Sequence, residues 1–164
     1  MPTFHLSYTA RINPAGASPT LTYPQIWTGL QRKIRHAEEF VPVIQGCEVL
    51  SDEAGVVKRK VQFKPGAGAA SDTAVEVVRS FYPSWVDFVQ EDGATIRNIV
   101  ADGPSGELDD LHMTYMFEIR RPDLKEGSAE AEQELKRLKG MAKNAVESSI
   151  VTIREMVKDG RIKD

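Results

Sequence analysis

With 164 residues, 41% of them hydrophobic and 27% charged, the chain can bury a sizeable core without disulfides or metal, and its single cysteine, Cys47, cannot close an internal disulfide. A net charge of −3, with the basic residues dispersed among acids, gives no electrostatic footprint for nucleic acid. No apolar run approaches a membrane span, and Met1-Pro2-Thr3-Phe4-His5 lacks the basic and apolar regions of a signal peptide, so the expectation is one cytoplasmic domain over 1–164 with no membrane insertion.

Phe4, Leu6, Tyr8, Ala10 and Ile12 alternate with Thr3, His5, Ser7, Thr9 and Arg11, the period of a strand with one buried face. Asn13 to Pro19 breaks that strand. Thr22 then offers an N-cap with Pro24 in the first turn, and a helix to about His36 presents Ile26, Trp27, Leu30 and Ile34 on one side. A second short helical turn over Ala37 to Val41 ends at Pro42. Six strands are expected near 44–52, 56–64, 73–82, 84–91, 94–102 and 111–121, separated by Gly-, Pro- and Asp-rich connectors. Short connectors make consecutive strands antiparallel.

The last element is a helix over roughly Ser128 to Asp159. Leu135, Leu138, Ala142, Val146, Ile150, Ile153, Met156 and Val157 recur at helical spacing, with Ser128 as N-cap and Gly160 at the stop. Its inner face is small at Gly140, Ala142, Ala145 and Ser149, which points to a space left open there. The predicted class is α+β: a seven-stranded curved antiparallel sheet, two short helices after the first strand, and a long C-terminal helix over a cavity.

Several stretches carry a family resemblance. They are Ile12-Asn13-Pro14 through Gly16-Ala17, Leu21-Thr22 with Trp27-Thr28-Gly29-Leu30, Phe40-Val41-Pro42, Phe63-Lys64-Pro65-Gly66, Gly103-Pro104-Ser105-Gly106-Glu107-Leu108, and Thr114-Tyr115 with Phe117-Glu118. On these the chain resembles the largely fungal AtaL-like family of the helix-grip superfamily that includes the birch-pollen allergens and START domains (SRPBCC, Bet v 1-like). The pattern departs at Asp109-Asp110-Leu111-His112, where a shorter link into the strand is the family's habit. The resemblance implies the helix-grip fold and a cavity for a small apolar ligand. It implies no catalytic signature.

Strand parity suggests which polar groups face the cavity. Pairing Val61 with Val77, Phe63 with Val75 and Val57 with Phe81 sets Arg59 beside Arg79 on the inner face, as an anion clamp or as a pair satisfied by protein acids. A two-residue turn at Asp92-Gly93 turns Asp87 and Asn98 inward together; a bulge instead turns Val86, Phe88, Ile96, Asn98 and Val100 inward and leaves Asp87 in solvent. Tyr115 and Tyr8 share parity with inward apolar residues, whereas His112 has the opposite parity but sits at the strand mouth. Trp27 reads as a plug or gate, Ala145 and Ser149 as cavity wall, and Pro65 to Ala70 as a mobile rim.

The three histidines lack metal-ligand spacing, so no metal and no cofactor is expected. Three functions compete. The first is a cofactor-free catalyst of secondary metabolism that cyclises, isomerises or dehydrates a small aromatic or polyketide-like substrate, with Asp87, Tyr115 and His112 as candidate proton-moving groups and Tyr8, Trp27, Arg59, Arg79, Asn98, Ala145 and Ser149 as ligand contacts. The second is a carrier of an apolar metabolite, and the third a domain whose cavity is vestigial. A monomer or weak homodimer is expected.

Overall fold

The computed structural model describes residues 2–67 and 71–163. Seven antiparallel strands run β1 (Thr3–Arg11), β2 (Ile44–Glu53), β3 (Val56–Phe63), β4 (Thr73–Phe81), β5 (Trp85–Gln90), β6 (Thr95–Asp102) and β7 (Leu111–Arg120), ordered β1-β7-β6-β5-β4-β3-β2 across the sheet. Helix α1 (Tyr23–Arg35) and a single 3-10 turn (Ala37–Glu39) lie between β1 and β2, and α2 (Ala129–Lys158) follows β7. The predicted class and element order are those observed. No helix among the described residues is long and apolar enough to cross a membrane.

Local chemistry sets the helix ends. The Thr22 hydroxyl accepts from the Gln25 backbone N–H while the Gln25 side chain accepts from the Thr22 N–H, a reciprocal box that starts α1 at Pro24's turn. Ser128 caps α2 by accepting from Ala131 N–H. At about 1.5 Å per residue α2 reaches roughly 45 Å. It buries Leu138, Ala142, Val146, Ser149, Ile150, Ile153 and Met156 against the concave sheet face.

The two helices meet closely at Gly29. A Cβ built there would lie 2.6 Å from Ile153 Cγ1 and 2.8 Å from Cδ1, so glycine is what lets α1 touch α2. Ile153 is fully buried and has little room to retreat. Gly29→Ala is therefore expected to destabilise the protein by about 1–3 kcal/mol through overpacking, outweighing the roughly 1 kcal/mol that alanine gains in helix propensity. Urea unfolding would show it as a lower midpoint.

Two loop staples fix the same end of the molecule. Asn13 donates to Leu21 O and Asp109 O and accepts from Leu21 N–H, while Arg154 of α2 donates to Ile12 O and Pro19 O. Asp110 accepts from the Ser105 N–H and hydroxyl and from Arg11, folding 103–110 back on itself. The space under α2 is thus sealed where α1 crosses. It opens instead toward the hairpin turns and the first half of α2.

Candidate functional site

That opening is a pocket of about 450 Å³. Ala74, Ile96, Phe117, Leu138 and Met141 form its apolar wall, with Gln90, Glu134, Arg121 and Arg137 among the polar residues that also line it. The arginines are engaged: Arg121 bonds Glu134 and Asp123, and Arg137 bonds Glu134 at 2.8 and 2.7 Å. Its helix wall lies on Leu138 and Met141, which flank Gly140 and precede Ala142, Ala145 and Ser149, the other small residues expected to leave the space. Of those, Gly140 is exposed, Ala145 is half-buried, and Ala142 and Ser149 are packed in the core.

One step deeper along the same strand faces the chemistry changes. Asn98 follows Ile96 and Tyr115 precedes Phe117 on the inner surface, each about 7 Å further along its strand, and the two are cross-strand partners. Between them stands the amine of Lys33, which donates to Asn98 Oδ1 and to the Tyr115 hydroxyl, both at 3.0 Å. It lies 4.2 Å from the centre of the Tyr115 ring. Asn98 Nδ2 is buried and has no hydrogen-bond partner among the described residues. Lys33 is on the buried stripe of α1 with Ile26, Gly29, Leu30 and Ile34, so the helix period aims it at the sheet.

Beside this triad lies a buried ion pair. Arg59 donates to Glu76 Oε2 through Nε at 2.8 Å and Nη2 at 2.7 Å, and its Nη1 donates to the Lys33 and Ile34 carbonyls at the end of α1. Gln90 donates to the other Glu76 oxygen at 3.2 Å, which joins this pair to the pocket wall. Burial pushes the Lys33 amine down to about 7, assisted by the Arg59 cation and opposed by Glu76. Burial also raises the Tyr115 hydroxyl above the usual phenol range, against the opposing hydrogen bond with Ser149. The arrangement can exchange a proton near neutrality at a site screened from water.

The structure therefore brings together Arg59, Asn98, Tyr115 and Ser149 and separates the other predicted site residues from them. Arg79 faces outward. In the observed register Arg59 pairs with Glu76 and Val56 with Arg79, an odd-numbered slip from the expected pairing that reverses every β4 side chain. An inward Glu76 neutralises Arg59; two inward guanidiniums would have left buried cations unpaired. Asp87 also faces outward, opposite Arg97, which donates to it at 2.5 and 2.8 Å. The β5–β6 turn is the three-residue Glu91-Asp92-Gly93 loop with Gly93 at φ 84°, not a two-residue turn.

His112 lies on the outer face opposite Arg11 and Ala101. Tyr8 has the inner parity, but its hydroxyl donates to Glu147 at 2.9 Å and accepts from Lys143, stapling β1 to α2 away from the pocket. Trp27 is half-buried, edge-on to Tyr82 at 5.4 Å. Gly68, Ala69 and Ala70 of the expected rim lie outside the described residues. Sequence reading missed Lys33 and Glu76. For Lys33 the signal was its place on an apolar helical stripe; for Glu76 it was the need of an inward Arg59 for an acid.

The family model for acetylaranotin biosynthesis cluster protein L matches residues 6–160. The acetylaranotin biosynthesis cluster protein L of Aspergillus terreus is 29% identical over 164 residues, covering 99% of this chain and 95% of that protein. Among solved structures, the Zhui aromatase/cyclase from Streptomyces sp. R1128 superposes with a TM-score of 0.65 at 16% identity, covering 95% of this chain and 96% of that one. The di-domain aromatase/cyclase StfQ of the steffimycin pathway gives 0.66 at 11% identity, covering 97% of this chain and 52% of that one. At these identities the structural likeness is one of fold.

Proposed function

The chain belongs to the acetylaranotin biosynthesis cluster protein L family, and from that premise we propose that it is a natural-product biosynthetic protein that binds a small, largely apolar intermediate under α2 and moves protons on it without a cofactor. The observation that carries the reading is the buried Lys33 amine, held by Asn98 and Tyr115 one layer beyond the apolar pocket. A neutral amine there can take the proton next to a ligand carbonyl. The Tyr115 hydroxyl and the free Asn98 amide N–H can stabilise the enolate oxygen that results. The same proton returned to a departing hydroxyl completes a dehydration, and the wall of Ile96, Phe117 and Met141 restricts the folding of a flexible substrate. Cyclisation, isomerisation and dehydration all fit this set of groups.

A carrier role is the second reading. It is favoured by the pocket itself, whose wall is apolar and whose lining arginines Arg121 and Arg137 are already paired, while the amine lies deeper. Incubating the protein with a small-molecule extract of its producing cells, followed by mass spectrometry of what it retains and what it consumes, separates the two. The expected result is a retained compound that is converted to a product of altered or isomeric structure. Retention without conversion would establish the carrier, and no retained compound would contradict both.

A further inference from the structure

We propose that Lys33 also acts as a nucleophile, capturing an aldehyde or ketone group of the ligand as an imine. This rests on the pocket reading above, because the carbonyl must arrive past Ile96 and Phe117. Three observations support it. The amine is buried with both of its hydrogen-bond partners neutral, Asn98 and Tyr115. The nearby acid, Glu76, is engaged by Arg59 and Gln90. The Arg59 guanidinium stands 4.8 Å from the centre of the Phe88 ring and the Lys33 amine 5.8 Å from the same ring, so a permanent cation shares the amine's apolar surroundings. A desolvated lysine beside a second cation keeps its lone pair free at neutral pH.

The other groups match the steps. The nitrogen lone pair attacks the carbonyl carbon, and the C=O π pair moves to oxygen, which takes a proton from the Tyr115 hydroxyl. The nitrogen then returns a proton to the tyrosinate, leaving a neutral carbinolamine. Asn98 Nδ2, a buried donor with no partner among the described residues, is placed to hold that oxygen. A second proton passes from the Tyr115 hydroxyl to that oxygen and water leaves as the nitrogen lone pair forms C=N; the resulting iminium gives its N–H proton back to the tyrosinate, leaving the imine. Water is the only by-product and no oxidant or reductant is consumed.

Benzaldehyde with sodium cyanoborohydride tests this on the whole protein near neutral pH, because hydride reduction of the C=N bond fixes the adduct for peptide mapping. Lys33 is expected to be labelled at least about tenfold faster than any other lysine, since an amine titrating near 7 is about half neutral where ordinary lysines are almost wholly protonated. Lys33→Arg, which keeps a cation and hydrogen-bond donors, is expected to lose that label alone. Displacement of anilinonaphthalenesulfonate by benzaldehyde, read in the same samples, reports on the pocket. Displacement with Lys33 unlabelled would overturn the imine while leaving the pocket reading intact; no dye binding and no label would overturn both.

Discussion

Glu76→Leu is expected to lower the unfolding free energy by about 3–5 kcal/mol, the usual cost of leaving one member of a buried ion pair alone. Arg59 and Glu76 are only 4% and 5% exposed. A guanidinium cannot shed its proton to escape, and the Lys33 amine nearby offers it no counter-charge. The double variant Arg59→Met/Glu76→Leu should recover part of the loss by removing the stranded cation. The remainder belongs to the Lys33 and Ile34 carbonyls, orphans of the last turn of α1 that Arg59 Nη1 now satisfies. Denaturant unfolding of the three proteins checks this: a double variant no more stable than Glu76→Leu would sink the ion-pair account.

Lys33→Met should lower turnover by about 10²–10⁴-fold, the range of a positioned proton-transfer group, while affinity for the retained compound stays within a few fold. Methionine keeps the length and apolar stem but has no amine to exchange. The variant should also change how stability depends on pH. Below about pH 7 Lys33 is protonated in both folded and unfolded chains. Between there and the ordinary lysine value only the unfolded chain holds the proton, so the unfolded state binds more protons and Lys33 makes stability rise with pH across that window. Subtracting the Lys33→Met curve from that of the wild type should leave this rise; a flat difference would mean that the buried amine titrates as an ordinary lysine.

The elements and their order were legible because each rests on a local signal: alternation in β1 and β7, helical spacing in α2, an N-cap at Thr22. The faces of β4 were not. Val75, Val77 and Phe81 form the more apolar set, yet they point outward and leave Phe81 42% exposed, because Arg59 requires Glu76 on the inner side. A charge pair between two strands overrode the hydrophobic pattern, and no single-strand reading contains that information. Lys33 escaped notice for a related reason: a charged residue on an apolar stripe reads as a helix margin until the groups opposite it are known. Tyr115 and Asn98 could be placed by strand parity, and Ser149 by helical spacing.

The motifs that carry the family resemblance turn out to do mechanical work. Asn13 ties the β1–α1 loop to Arg154 and Asp109, and Ser105 closes on Asp110. Both fix where the helices sit on the sheet. Gly29 does the same by admitting Ile153. Such staples can be read from short local motifs, whereas Lys33 and Glu76 sit among ordinary core positions.

The proton-exchange claim is tested most directly by the NMR titration of Lys33, using protein carrying ¹³C-labelled lysine and assigning the resonance by its absence in Lys33→Met. The expected midpoint lies near 7 and moves when a ligand occupies the pocket, with Tyr115 remaining protonated throughout. A midpoint near the ordinary lysine value, unmoved by ligand, would contradict it.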